Sequence, residues 1–130
     1  MTKKIMAMLT ILMIASCSTP RFDNNEYMLV AEIKNEALSG MKGCNSNPYK
    51  AVEQHGSKIF DRTQLYSLYA ERLSDNVESY EMSKELYSIT EDLISKGHQV
   101  SKFYCKQKFE IIMKGADRIM VSLSAKKKGD

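Results

Sequence analysis

Apolar positions recur at about 3.6 residues along most of this chain, the period of an α-helix with one buried face. Tyr27, Val30, Ala31, Ile33, Ala37, Leu38 and Met41 fall on one broad stripe, which Lys34 interrupts and must leave by snorkelling or pairing. Asp23, Asn24 or Asn25 can cap this helix, Glu26 suits its positive N-terminal end, and Gly40 and Gly43 are expected to end it. Residues 42–47 have turn chemistry. Asn47 before Pro48 then reads as an N-cap with proline in the first turn, so a short helix is predicted from Pro48 to His55, stopping at Gly56. Asp61 with Gln64 resembles a capping box opening a second main helix, with Leu65, Leu68, Tyr69 and Leu73 inward. Ser74-Asp75-Asn76 reads as a break, with Asp75 and Glu78 as the next capping pair. The third helix is expected to bury Met82, Leu86, Ile89 and Leu93, to carry Tyr80, Tyr87 and Ile94 as a second stripe, and to end at Gly97. Ser101 can cap the last helix. Its seam of Cys105, Phe109, Ile112, Ala116, Ile119 and Leu123 alternates steps of four and three, the spacing by which antiparallel helices interlock. The fold expected is all-α: a small antiparallel bundle of about four main helices in up-down-up-down order.

The first residues follow another rule. Lys3 and Lys4 give a positive start, and Ile5 to Ala15 is an apolar run of about eleven residues. A bilayer core needs about twenty such residues, so the run is too short for a stable span and has the marks of a secretory signal. It ends Ile14-Ala15-Ser16-Cys17, which looks like the lipobox of bacterial lipoproteins: an aliphatic residue, two small ones, then cysteine. That resemblance implies that the Cys17 thiol carries a lipid and that the peptide is cut before it. Small residues let a peptidase reach the backbone, and only a thiol forms the thioether to diacylglycerol. Ser18 follows where many such lipoproteins held at the inner membrane have aspartate, which favours the outer membrane in a two-membrane host. The organisation expected is a signal peptide over 1–16, a lipid-anchored tether over 17–25, a bundle over 26–125 and a basic tail over 126–130.

Charge changes this picture little. Nineteen basic against sixteen acidic residues give +3, and without Lys3 and Lys4 the remainder stands near +1. Such a balance gives no electrostatic case for nucleic acid. Cysteine changes it more. With Cys17 taken by lipid, Cys44 and Cys105 remain, and in an exported chain that even remainder predicts a disulfide rather than a metal site. In an up-down-up-down bundle the end of the first helix and the start of the fourth share one end, where both cysteines fall. The lipid at Cys17 and the lysines Lys126, Lys127 and Lys128 would share the other. There the three lysines either meet an anionic lipid surface or form a solvated tail.

No catalytic motif is present: no glycine-rich phosphate loop, no His-Glu-x-x-His, no Gly-x-Ser-x-Gly and no Cys-x-x-Cys-His. His55 and His98 lie beside glycines in or near loops and read as surface residues. The tyrosines at 66, 69, 80, 87 and 104 cannot all be buried, because each hydroxyl wants a partner. No enzyme activity, cofactor or metal is expected.

The layout also resembles small helical lipoproteins carried by bacteriophages and prophages. They have a Tyr-led first helix ending near a cysteine, here Tyr27 to Cys44. They share a segment like Leu68-Tyr69-Ala70-Glu71-Arg72-Leu73 and a last helix opening Val-Ser-x-x-Tyr-Cys-x-x-Lys, here Val100 to Lys108. The likeness spans about residues 26–120 and lacks the proline usual after the second helix. It implies a fold and an envelope setting and carries over no catalytic residue. The function expected is a non-enzymatic binding module facing the periplasm, with a protein partner in the envelope, in superinfection exclusion or another infection-related role. The alternative is a structural or lytic lipoprotein like the outer subunit of phage spanin pairs.

Overall fold

The computed structural model of the chain describes residues 22–73 and 77–128, with the backbone alone for 127 and 128. Among them it is all-helical and has no strand. Helix α1 spans Asn24–Gly43. Of its three candidate caps it uses Asp23, whose side chain accepts from the Glu26 backbone N–H at 2.9 Å. Asn47 caps α2 (Pro48–Ala51) by accepting from Lys50 N–H at 3.0 Å, with proline in the first turn as expected.

The predicted stop at Gly56 does not occur. From α2 the chain passes through a π-helical turn, Val52–Gly56, straight into α3 (Ser57–Arg72). Gly56 takes ordinary helical angles (φ −61°, ψ −44°) and is buried, so here glycine packs a helix instead of breaking it. The Asp61–Gln64 capping box therefore fails, because Asp61 sits inside a continuous rod. Helix α4 is Val77–Ser95, and α5 is Lys102–Lys128. The interruption between α3 and α4 lies where expected: Leu73 leaves the helix in an extended conformation. The Asp75–Glu78 capping pair cannot be placed, since residues 74–76 lie outside the described ones. Two residues past the end of α4, Gly97 takes the left-handed conformation (φ +52°) and opens a 3-10 turn, Gly97–Gln99. Ser101 caps α5 by accepting from Tyr104 N–H at 3.1 Å.

The seam of α5 is as read: Cys105, Phe109, Ile112, Ala116, Ile119 and Leu123 are all buried. It packs chiefly on α1, whose buried line is Glu26, Val30, Ile33, Ala37 and Gly40. Gly40 does not end α1. A Cβ there would stand 2.5 Å from ring atoms of Phe109, so its missing side chain is what lets the two helices close. Lys34 pairs with Asp117 at 2.5 Å, one of the two outcomes expected of it.

The inward face of α3 differs from expectation. Ile59, Thr63, Tyr66 and Ala70 are buried, while Leu65 and Leu68 are 53% and 56% exposed. The reason is chemical. Tyr66 buries its ring and donates its hydroxyl to Glu26 Oε1 at 3.2 Å, and Thr63 donates to the Phe60 carbonyl at 3.0 Å. Satisfied polar atoms make this stripe buriable although it reads as less apolar than its neighbours. Helix α4 repeats the lesson. Leu86 and Leu93 are buried as expected, but they share the buried line with Ser79, Ser83 and Thr90, and Met82 and Ile89 are half-buried beside it. The second stripe meets α3, with Phe60 and Tyr87 rings 4.8 Å apart.

Candidate functional site

The disulfide expected between Cys44 and Cys105 is formed, with Cα atoms 5.8 Å apart. It joins the residue after α1 to the first turn of α5. Around it lie the start of α2 and the 3-10 turn, held together by Tyr49 stacked on His98 with ring centroids 3.8 Å apart. This end of the molecule is basic. Between residues 40–53 and 92–108 stand Lys42, Lys50, Lys96, Lys102, Lys106 and Lys108 against two carboxylates, Glu53 and Asp92. Asp92 is already engaged by Lys108 at 2.8 Å and by the Tyr104 hydroxyl at 2.6 Å. Burial and this carboxylate push the Tyr104 hydroxyl up to about 12.

Beside the π turn lies a second polar cluster, which the sequence reading missed. His55 Nδ1 meets Glu36 Oε1 at 2.7 Å, and Lys58 Nζ approaches the same oxygen at 3.5 Å. His55 is therefore a half-buried partner, not the free surface residue that its neighbouring glycine suggested. No local signal could have revealed the pair, because nineteen residues separate them. Burial alone would raise the Glu36 carboxyl, but the hydrogen bond from His55 and the charges of Lys58 and His55 outweigh it and hold Glu36 below its ordinary value. The sign follows: a carboxyl with a lowered folded-state value stabilises the fold above its ordinary pKa, and that stability is lost as pH falls through the lowered one. Urea titrations from neutral pH to pH 3 are expected to show Glu36→Gln with a shallower acid loss than the parent. Parallel curves would show that the cluster does not couple to acid unfolding.

A shallow groove of about 240 Å³ runs along α4 and α5, floored by Met82, Leu86, Ile89 and Ile119, with Lys114 and Arg118 on its wall. Gly115 lets α5 approach α4 closely beside it, since a Cβ there would stand 2.9 Å from Leu86 Cδ2.

Of the five tyrosines weighed above, Tyr66 alone is fully buried. Tyr66, Tyr69 and Tyr104 each give their hydroxyl to a carboxylate: Glu26, Asp23 and Asp92. Among the described residues no group of three or more His, Cys, Asp or Glu side chains could hold a metal ion. No helix among them is long and apolar enough to cross a membrane. Cys17 and the apolar run before it lie outside the described residues. Helix α5 continues through Lys126, Lys127 and Lys128, so the backbone there is helical where a tail was expected, and Lys126 is half-buried. No protein-family model, curated protein or solved structure matches the sequence.

Proposed function

We propose that this chain is a lipoprotein of the bacterial envelope, a non-enzymatic binding module held by lipid at Cys17 and facing the periplasm. The observation that carries the proposal is the run Lys3-Lys4, then the apolar Ile5–Ala15, then Ile14-Ala15-Ser16-Cys17. Three acyl chains on the mature cysteine would hold firmly where a single chain binds only marginally. Ser18 favours the outer membrane.

The helices are taken to run up-down-up-down. Supporting this, partner numbers fall along one helix as they rise along the next. The N-cap Asp23 and then Glu26, Glu32 and Glu36 on α1 meet Tyr69, Tyr66, Arg62 and Lys58 on α3. Lys34 and Cys44 meet Asp117 and Cys105. Asp23 then lies six residues from the anchor, and the disulfide end is the one presented away from it.

A phage origin, suggested by the likeness of Tyr27–Cys44 and Val100–Lys108 to phage lipoproteins, makes superinfection exclusion the natural role, with the bundle obstructing a receptor or an incoming phage component. The anchor is tested by mass spectrometry of the amino terminus and by fractionating Cys17→Ser. A lipid-bearing Cys17 and a variant lost from membranes are expected. An unmodified, uncut amino terminus overturns the proposal. The role is tested by expressing the protein and measuring phage adsorption and DNA entry; unchanged values for every phage of the host would sink exclusion and leave the structural, spanin-like role.

A further inference from the structure

The charge of this molecule is lopsided in a way its near-neutral total conceals. The disulfide end holds six lysines against two carboxylates, whereas acidic residues outnumber basic ones over the rest of the described chain. Four of the lysines, Lys42, Lys50, Lys102 and Lys106, are exposed or at the exposed rim and form no ion pair among the described residues. Like charges gathered at one end repel one another, and the two carboxylates there do not balance six lysines, so an external anion would relieve the excess. Among them Phe103 stands 74% exposed, the most exposed large apolar side chain described. Lys102 precedes it and Lys106 follows one helical turn on, so ring and charges share a short arc of α5.

Cysteine chemistry fixes the arrangement. The Cys44–Cys105 bridge ties Lys42 to Lys102 and Lys106, each within three residues of one of the two cysteines. The Tyr49–His98 stack brings Lys50 to the same end. The lysines are thus delivered by a rigid frame and need not be gathered on binding, which lowers the entropy lost in docking.

We propose that the disulfide end docks on an anionic phospholipid surface, with Phe103 entering the headgroup–acyl boundary and Lys42, Lys50, Lys102 and Lys106 on lipid phosphates. An exposed apolar ring at an end rich in exposed lysines fits a surface whose charges overlie hydrocarbon, the chemistry of interfacial membrane contacts. A purely polar polyanion would leave Phe103 unused. Because this end lies away from Cys17 in the proposed orientation, an anchored molecule would join its own membrane to a second one. That consequence rests on the anchor; the lipid affinity of the tip does not.

The test uses the mature lipoprotein inserted in phosphatidylcholine carrier vesicles and offered a second, labelled population of either phosphatidylcholine alone or phosphatidylcholine with phosphatidylglycerol. Capture of the phosphatidylglycerol vesicles only, weakened by salt, is expected. Each lysine near such a surface contributes roughly fivefold, so Lys102→Gln with Lys106→Gln is expected to cut capture more than tenfold. Phe103→Ser is expected to weaken it at every salt concentration. All three side chains are exposed, so thermal unfolding should be unchanged. Equal capture of both populations overturns the proposal. So does capture that these variants leave intact but replacement of Lys126–Lys128 abolishes, and so does no capture at all. If the protein fails to float with its carriers, the anchor is wrong; direct sedimentation with the phosphatidylglycerol vesicles then reads the tip alone, by the same variants.

Discussion

Replacing Cys44 and Cys105 together by alanine is expected to lower the free energy of unfolding by about 4 kcal/mol. The bridge spans 61 residues of sequence. In the chain-entropy model, closing a loop of that length removes roughly 4 kcal/mol of freedom from the unfolded chain. A domain of this size has in total only about 5–15 kcal/mol, so the loss is a large fraction of the whole. Neither half of the end can replace it. Helix α2 is the one-turn start of the rod that continues into α3, and the 3-10 turn is three residues, so without the bridge the contact of these pieces with the start of α5 rests on the Tyr49–His98 stack and the packing of Ala51 and Val52. Two measurements keep the test decisive if the variant folds poorly. Urea unfolding of the unaltered protein with and without reductant should give the same difference, with a steeper denaturant dependence when reduced because the unfolded chain expands. Thiol titration of the unfolded, unreduced chain should find neither Cys44 nor Cys105 reactive. A change below 1 kcal/mol on reduction would mean that packing alone fixes this end.

Why some of this fold was readable in the sequence and some not has a single physical origin. Where the buried stripe is built of apolar residues, as in α5 from Cys105 to Leu123, periodicity located it residue by residue. Where it is built of Tyr66, Thr63 and Ala70, or of Ser79, Ser83 and Thr90, hydropathy points one or two positions aside, to Leu65 and Leu68 or to Met82 and Ile89. Polar side chains become buriable only when a partner exists, and the partners are either backbone carbonyls of the preceding turn or residues forty positions away, as Glu26 is from Tyr66. Glycine was misread for a related reason. Gly40 and Gly56 looked like helix stops, yet each sits in helical conformation against a neighbouring element. Among the described glycines only Gly97 uses the conformational freedom that makes glycine a stop signal. The cysteine pair, by contrast, was readable because counting and helix parity need no side-chain geometry. The lysine-rich end was missed because its members are scattered over about sixty residues of sequence and are gathered only by that bridge.

The second large effect belongs to the place where α1 and α5 come closest. Phe109→Ala is expected to cost about 3–5 kcal/mol, the range for removing a fully buried ring from a core that only partly collapses. Gly40→Ala, a substitution that usually favours a helix by up to about 1 kcal/mol, is expected here to destabilise by about 1–3 kcal/mol, since its Cβ would stand 2.5 Å from two ring atoms that are themselves enclosed. The two changes must then fail to add. Once the ring is gone, the new methyl at position 40 meets empty space, partly fills it and recovers its helix preference, so Gly40→Ala should stabilise the Phe109→Ala protein. Urea unfolding of the two single variants and the double one measures this coupling directly. Simple additivity, or a Gly40→Ala protein as stable as the parent, would show that α1 and α5 can move apart without cost. The tight seam would then be no reason for glycine at position 40.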